Sequence, residues 1–384
     1  MKIGLSTTMI QRGKSGVAQY VLALVRALVT EGAAHRLHLF VLEEDLPLFD
    51  FARGQVETVL VPERFRAPVR NILWHQATLP ALARRLRLDV LHVPSYRRLL
   101  WRKPCALVAT IHDLALFHVS GKYDPARMFY GKVVVRRLAH RQDEIITIST
   151  HTARDVERFF GIPKARQHVV LNGIDHERFR PGAPSEAKQQ AAARWHLEAP
   201  FFLYISRLEH PAKNHVRLFE SFNAFKASTR SPWLLVLGGS DWHGAEAIHA
   251  AAQASPWQAD IRFLGFVADA DLPTLYRAAD AFVYPSLFEG FGFPPVEAMA
   301  CGCPVISSPR GSLEEVVAEA AIRIEPENVD SMTQALARVA TDPPCRTQLI
   351  AAGYQNARRF DWRANARAVL HVYEQATRRR AILK

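Results

Sequence analysis

Short apolar runs alternate with longer segments of helical period along nearly the whole chain. In the first half the runs are Ile3–Ser6, Leu37–Leu42, Glu57–Val61, Val90–Val93, Ala106–Ile111, Ile145–Ile148 and His168–Leu171. Such runs are short and rich in Val, Ile and Leu, as expected of strands buried on both faces. Val17, Tyr20, Val21, Leu24 and Leu28 recur at helical spacing after the first run. A second set begins near residue 201, with Phe201–Ile205, Trp233–Leu237, Ile261–Leu264, Ala281–Tyr284, Pro304–Ser307 and Ala321–Ile324 as strands. Helical patterns lie between them, for example Val216–Phe225 and Leu272–Ala279. This alternation predicts parallel sheets covered by helices on both faces, once in each half. The segment from Asn172-Gly173-Ile174-Asp175 to Pro181-Gly182-Ala183-Pro184 carries the turn residues of a linker. The stretch from Trp362 to Lys384 reads as a helix able to pack on either domain.

Composition adds limits. With 384 residues, 49% hydrophobic and 22% charged, the chain suits two globular cores. No apolar run reaches about 18 residues, the length a membrane-spanning helix needs. The longest candidate, Tyr20 to Val29, is interrupted by Arg26, and Met1 to Ser6 reads as a first strand rather than a signal peptide. Residues 1–180 hold 28 Lys and Arg against 16 Asp and Glu, whereas residues 181–384 hold 21 of each. The net charge of +12 therefore sits in the first half, with clusters at Arg64/Arg66/Arg70, Arg84/Arg85/Arg87, Arg97/Arg98/Arg102/Lys103 and Arg136/Arg137/Arg141. A basic half fits either a solvated surface or an anionic partner such as lipid or an acidic glycan. No nucleic-acid motif accompanies it, so nucleic acid ranks last. The four cysteines show no disulfide framework, in keeping with a reducing compartment. Cys301-Gly302-Cys303 lacks a second ligand pair and reads as a helix end packed before a strand.

Open α/β sheets bind ligands beyond the carboxyl ends of their strands, and with two such domains the cleft between them is the expected site. The richest segment runs from Pro285 to Ala300. Two carboxylates, Glu289 and Glu297, bracket a loop containing Gly290, Phe291, Gly292 and Phe293, and Pro294-Pro295 suits a helix entrance. The free amides of such an entrance attract phosphate. Arg207 ends the first strand of the second domain, and Lys213 lies six positions further on. Together these cations can neutralise a diphosphate. Arg12-Gly13-Lys14-Ser15-Gly16 resembles a P-loop but has Thr8 where the first glycine belongs, so it reads as a glycine loop opening a helix. His112-Asp113 ends a strand of the first half, with an imidazole able to donate to a hydroxyl. The two glutamates also suit a glycosidase acid and base. The nearby cations and glycine loop favour a phosphate-bearing sugar donor.

These residues resemble retaining glycosyltransferase family 4. The resemblance rests on Phe282 to Ser286, on Glu289-Gly290-Phe291-Gly292-Phe293-Pro294, on Glu297-Ala298-Met299-Ala300 and on Gly302-Cys303-Pro304-Val305-Ile306. It extends to Ile261–Val267, Leu171–Asp175, Phe179-Arg180-Pro181, Thr147-Ile148-Ser149 and Leu313–Val316. It implies the GT-B fold, two Rossmann-like domains facing across a deep cleft: residues 1–177 for the acceptor, 178–361 for the donor, and a helix over 362–384 crossing back. It implies a nucleotide-diphosphate sugar, GDP- or UDP-linked, a hexose such as mannose, a glycan or lipid-linked acceptor, and neither metal nor further cofactor. Glu297 would bind the ribose hydroxyls. Arg207 and Lys213 would grip the diphosphate. Glu289 and the amides of Phe291 and Gly292 would hold the sugar, with His112 near its reacting face. Gly16 would lie against the donor, and Gly265, Phe266 and Val267 near the base. Ser206 stands where the family usually has glycine, and Glu314 where proline is common. A 2-epimerase of the same fold and a silent glycan-binding protein are the alternatives. The resemblance and the basic half together suggest a cytoplasmic enzyme, peripheral on the inner membrane.

Overall fold

The computed structural model describes residues 1–13, 15–118 and 124–382. The chain divides into two compact units, Met1–Gly173 with Asp361–Lys384, and Ile174–Phe360.

The first unit is built on a seven-stranded parallel sheet. Its strands are β1 (Lys2–Ser6), β2 (Arg36–Leu42), β3 (Glu57–Val61), β4 (Val90–Val93), β5 (Ala106–Ile111), β6 (Glu144–Thr147) and β7 (Gln167–Val169), in the order β3-β2-β1-β4-β5-β6-β7. β4, β5 and β6 are buried along their whole length, which is why their sequences are runs rather than alternations. The edge strands β3 and β7 are the exposed ones. β6 starts at Glu144, one residue before the apolar run. That carboxylate is buried because His168 and Arg379 both bind it.

Helix Gly16–Glu31 turns Tyr20, Val21, Leu24 and Leu28 inward as their spacing predicts, together with Ala18 and Val25, while Val17 stays half-buried. Ser15 caps it by accepting from the Ala18 amide at 3.2 Å, a contact worth about 1 kcal/mol. Helix Trp362–Ile382 packs against this helix and β5, burying Val369, Leu370 and Tyr373. The Tyr373 hydroxyl meets His92 Nδ1 at 2.8 Å inside the unit.

The second unit holds a six-stranded parallel sheet. Its strands are β8 (Phe201–Ile205), β9 (Leu234–Gly238), β10 (Ile261–Gly265), β11 (Ala281–Tyr284), β12 (Val305–Ser307) and β13 (Ala321–Arg323), in the order β10-β9-β8-β11-β12-β13. Helices His215–Thr229 and Leu272–Ala278 occupy the segments where helical period was read. Phe202, Leu203, Phe219, Phe222, Phe225 and Leu235 are fully or almost fully buried in the core. Ile174 and His176 both bond the Phe360 carbonyl, at 3.1 and 2.9 Å, which ties the two ends of this unit together.

In each sheet the chain reverses its winding once, between β1 and β4 and between β8 and β11. The loops leaving these strands at their carboxyl ends are where a doubly wound sheet accepts a ligand.

Candidate active site

The reversal point of the second unit brings Lys213 and Glu289 together. Lys213 follows β8, and Glu289 follows β11, the neighbouring strand. The backbone fixes their approach. Leu287 N donates to Ala212 O at 3.0 Å, and the Asn214 side chain donates to Pro285 O at 3.2 Å. The Tyr204 hydroxyl donates to Lys213 O at 2.7 Å. Lys213 Nζ then lies 2.5 Å from Glu289 Oε1, which also accepts from the Tyr284 hydroxyl at 2.9 Å. Both side chains are almost buried, 12% and 14% exposed. Burial alone would raise the Glu289 carboxyl, but the charge and hydrogen bond of Lys213, with Ser286 and Tyr284, outweigh it and hold it below its ordinary value.

Glu297 is driven the other way. It lies on helix Phe293–Ala300, half-buried, and accepts from the Tyr276 hydroxyl at 3.0 Å. Burial raises its carboxyl to about 7. Asp269 and Asp175 add to the rise, while Arg178 and Tyr276 oppose it. Tyr276, Phe282 and Tyr284 form an aromatic column, with centroids 5.5 and 5.8 Å apart, whose two hydroxyls end on the two glutamates.

The loop between the glutamates is shaped by Gly311-Ser312. Ser312 N and Oγ donate to Glu289 O at 3.1 and 3.0 Å, and Oγ also reaches Phe291 O at 3.1 Å. A Cβ on Gly311 would stand 2.4 Å from Glu289 O. Gly292 caps the helix at φ +95, and a Cβ there would meet Leu313 at 2.5 Å. Among the described residues the amides of Phe291 and Gly292 find no protein acceptor. Gly290 is half-buried beside them, and the Phe291 and Phe293 rings pack at a tilt with centroids 5.0 Å apart. Pro294 and Pro295 occupy the first turn, so two of the four amides normally free at a helix entrance are missing there. The expected phosphate attraction at this entrance therefore rests on fewer donors than the motif suggested.

Arg207 is exposed. Its guanidinium lies 4.9 Å from the Trp242 ring centroid and 3.1 Å from Glu209. Ser206 turns its hydroxyl toward Arg207 O at 3.2 Å, and Gly239 makes room for it. At the end of β10, Gly265 has φ +67, Phe266 is 77% exposed, and Val267 packs over Gly238. Glu209, Trp242, Tyr276, Tyr284 and Ser312 were not singled out from the sequence. The strand-end rule points to Tyr284 at the end of β11, but Tyr276 lies within helix Leu272–Ala278, and the spacing of the others carries no pattern.

In the first unit, His112 follows β5. Its Nε2 donates to Pro94 O at 3.1 Å, and its ring meets Tyr20 edge-on at 4.8 Å. Burial lowers its pKa, against smaller opposing effects of Pro94 and Asp113, so the ring is neutral. With Nε2 protonated, Nδ1 is an acceptor. The expected donation to a hydroxyl thus becomes acceptance from one. Asp113 caps the next turn through Ala115 N at 2.9 Å. Gly16 is the exposed first residue of its helix with open space around its Cα, while Lys14 lies outside the described residues. The basic clusters are partly internal: Arg66 pairs with Asp45 and Glu63, Arg98 binds Asn71, and Lys103 binds Asp143. Arg64, Arg70, Arg84, Arg85, Arg87, Arg102, Arg136, Arg137 and Arg141 are exposed. No described helix is long and apolar enough to cross a membrane.

Comparison with known proteins identifies the family. The family pattern described as "Glycosyl transferases group 1" matches residues 185–356, and that described as "Glycosyltransferase Family 4" matches residues 14–178. The chain is 30% identical over 270 residues to O-antigen chain mannosyltransferase B of Escherichia coli, covering 70% of each. It is 27% identical to a D-inositol 3-phosphate glycosyltransferase of Kribbella flavida, covering 98% of this chain and 87% of the relative. Among solved structures, sucrose-phosphate synthase of Thermosynechococcus elongatus superposes with TM-score 0.78 at 20% identity, covering 98% of each chain. Anabaena Alr3699/HepE, solved with UDP and glucose, gives 0.76 at 18% identity, covering 98% of this chain and all of that one. The two Rossmann-like units are those of the GT-B fold, and the chain is a glycosyltransferase that belongs to glycosyltransferase family 4.

Proposed function

We propose that this glycosyltransferase transfers a hexose, mannose or a close relative, from a nucleoside-diphosphate donor to a glycan or lipid-linked hydroxyl with retention of configuration. The observation that carries the reading is the Lys213–Glu289 pair at the β8/β11 reversal, with Arg207 on the same loop. Lys213 and Arg207 take the diphosphate and the charge that grows on it as the anomeric bond breaks. Glu289, already ionised and capped by Lys213, holds hydroxyls of the sugar rather than acting as a proton donor. The amides of Phe291 and Gly292 add donors to the same sugar, and His112 Nδ1 accepts from it. Gly265, Phe266 and Val267 border the base, Glu297 takes the ribose, and Gly16 leaves room for the donor.

The chemistry needs no protein base. The C–O bond to the leaving phosphate breaks, and the acceptor oxygen bonds to the anomeric carbon from the same face. Its proton passes to the departing phosphate oxygen. The exposed arginines of the first unit suit an anionic surface where a lipid-linked acceptor resides.

The test pairs a thermal-shift screen of GDP- and UDP-hexoses with NMR of the product, run with and without anionic vesicles. Expected are a donor that raises Tm, a product formed only with acceptor, and an anomeric centre unchanged in configuration. Donor epimerised without acceptor, or an inverted product, overturns the reading. Vesicles that leave transfer unchanged at low salt remove the membrane part of it.

Glu297 gives this site a pH signature. Its ionised form accepts two ribose hydroxyls and its protonated form only one well. Nucleotide affinity is expected to rise through about pH 7 and level off above. Glu297→Gln should flatten that profile in calorimetry, and a profile unchanged in the variant would remove the ribose role. The stability effect has the opposite slope. A carboxyl raised from 4.5 to about 7 binds its proton more tightly in the folded chain, so its contribution is full below pH 4.5 and is lost as pH rises through 7.

A further inference from the structure

Away from that site, one group of ligand-bearing side chains converges among the described residues. His118 follows the turn Ala115–Phe117 on the loop leaving β5. His151 and Asp155 lie on helix Thr150–Asp155, which leaves the neighbouring strand β6. Their spacing of four puts both on one helix face. His118 Nε2 lies 2.6 Å from Asp155 Oδ2, and His151 Nε2 lies 3.6 Å from the same oxygen. One ligand atom from each of the three falls within 4.8 Å of the others. Asp155 is 5% exposed, whereas each imidazole side chain is 27% exposed, so the carboxylate is sheltered and the open side faces solvent. Phe159 closes another side, edge-on to His118 at 5.6 Å and stacked on Phe117 at 4.2 Å.

Two imidazoles and one carboxylate form the borderline donor set that first-row divalent cations prefer. A cation held at about 2.0–2.2 Å needs its ligand atoms roughly 3–3.6 Å apart. The His151–Asp155 separation meets this as it stands. The His118–Asp155 hydrogen bond would open by a turn of the carboxylate, the cation replacing the proton between them. A His–Asp ion pair satisfies Asp155 with one imidazole; the convergence of a second on the same oxygen is what the cation explains.

We infer that His118, His151 and Asp155 bind one first-row divalent cation, zinc fitting the donors best, with its remaining positions filled by water. Its role is to clip the loop after β5 to the helix after β6. The same helix already holds that loop at a second point, where the Thr152 hydroxyl donates to the His112 carbonyl at 3.1 Å. The cation therefore acts by fixing the backbone that carries His112.

The experiment uses the full chain without an affinity tag, stripped with chelator and titrated with zinc chloride against a chromophoric zinc indicator. Tm is followed in parallel. One equivalent is expected to bind at micromolar or tighter Kd and to raise Tm. His118→Gln and His151→Gln, which keep partly exposed positions polar, should each weaken binding about tenfold or more and abolish the Tm rise. His249→Gln, on the exposed Asp241 pair of the other unit, should change neither. Substoichiometric binding to the native chain, or binding and a Tm rise unaltered in both glutamine variants, overturns the site. Circular dichroism confirms that the variants are folded before either result is read.

Discussion

Lys213→Ala is expected to lower the turnover of the best donor by about 100- to 1,000-fold, the usual loss when one preorganised charge facing a developing anion is removed. The substitution also leaves the sheltered Glu289 carboxylate without its cation. Losing one partner of such a pair destabilises by itself, by up to about 3–5 kcal/mol when burial is complete and less here, where both side chains keep a little exposure. Stability and chemistry can be separated. Lys213→Ala combined with Glu289→Gln removes the stranded charge, so folding stability should recover in denaturant titration. Transfer should stay at the level of the single variant or lower. If the double variant regains both, Lys213 serves the fold and the diphosphate needs another cation.

Gly239→Ala is expected to cost about 2–4 kcal/mol of unfolding free energy, measured in urea, from backbone strain together with overpacking. Gly239 sits at φ +152, and a Cβ there would stand 1.8 Å from Ser206 O, a main-chain atom that cannot swing aside. Its amide donates to Gly265 O at 2.7 Å, so it also joins the ends of β9 and β10. The loop carrying Ser206 and Arg207 would have to move. Donor affinity should fall even where the variant remains folded. A stability change below about 1 kcal/mol would show that this loop yields freely.

The central strands, such as β4, β5 and β6, were legible because parallel strands sheltered on both faces are written as short Val-, Ile- and Leu-rich runs, whereas the exposed edge strands β3 and β7 carry that signal weakly. Strand ends shifted by a residue or two where polar residues complete a strand, as Glu144 does by binding His168 and Arg379. The candidate site was legible as strand-end residues but not as partnerships. Lys213 and Glu289 are 76 positions apart, and they meet only because β8 and β11 are neighbours across a reversal. Lys213 was read as a partner of Arg207, six positions away, whereas Arg207 turns to Glu209 and Trp242. The opposite protonation tendencies of Glu289 and Glu297 were equally hidden, since folding lowers the first through Lys213 and Tyr284 and raises the second through burial, against Arg178 and Tyr276. The three ligand atoms of His118, His151 and Asp155 illustrate the same limit. Only the His151–Asp155 spacing was available in the sequence, and a spacing of four is too common in helices to carry weight alone.

The first unit is discontinuous: residues 1–173 need residues 361–382 to finish it, and the second unit lies between them in the sequence. A ribosome releases these pieces in order. The second unit emerges whole and can close its sheet at once, while the seven-stranded sheet waits without the helix that covers Tyr20, His92 and β5. The part of the enzyme made first is thus the part completed last. During that interval its uncovered apolar face is open to aggregation.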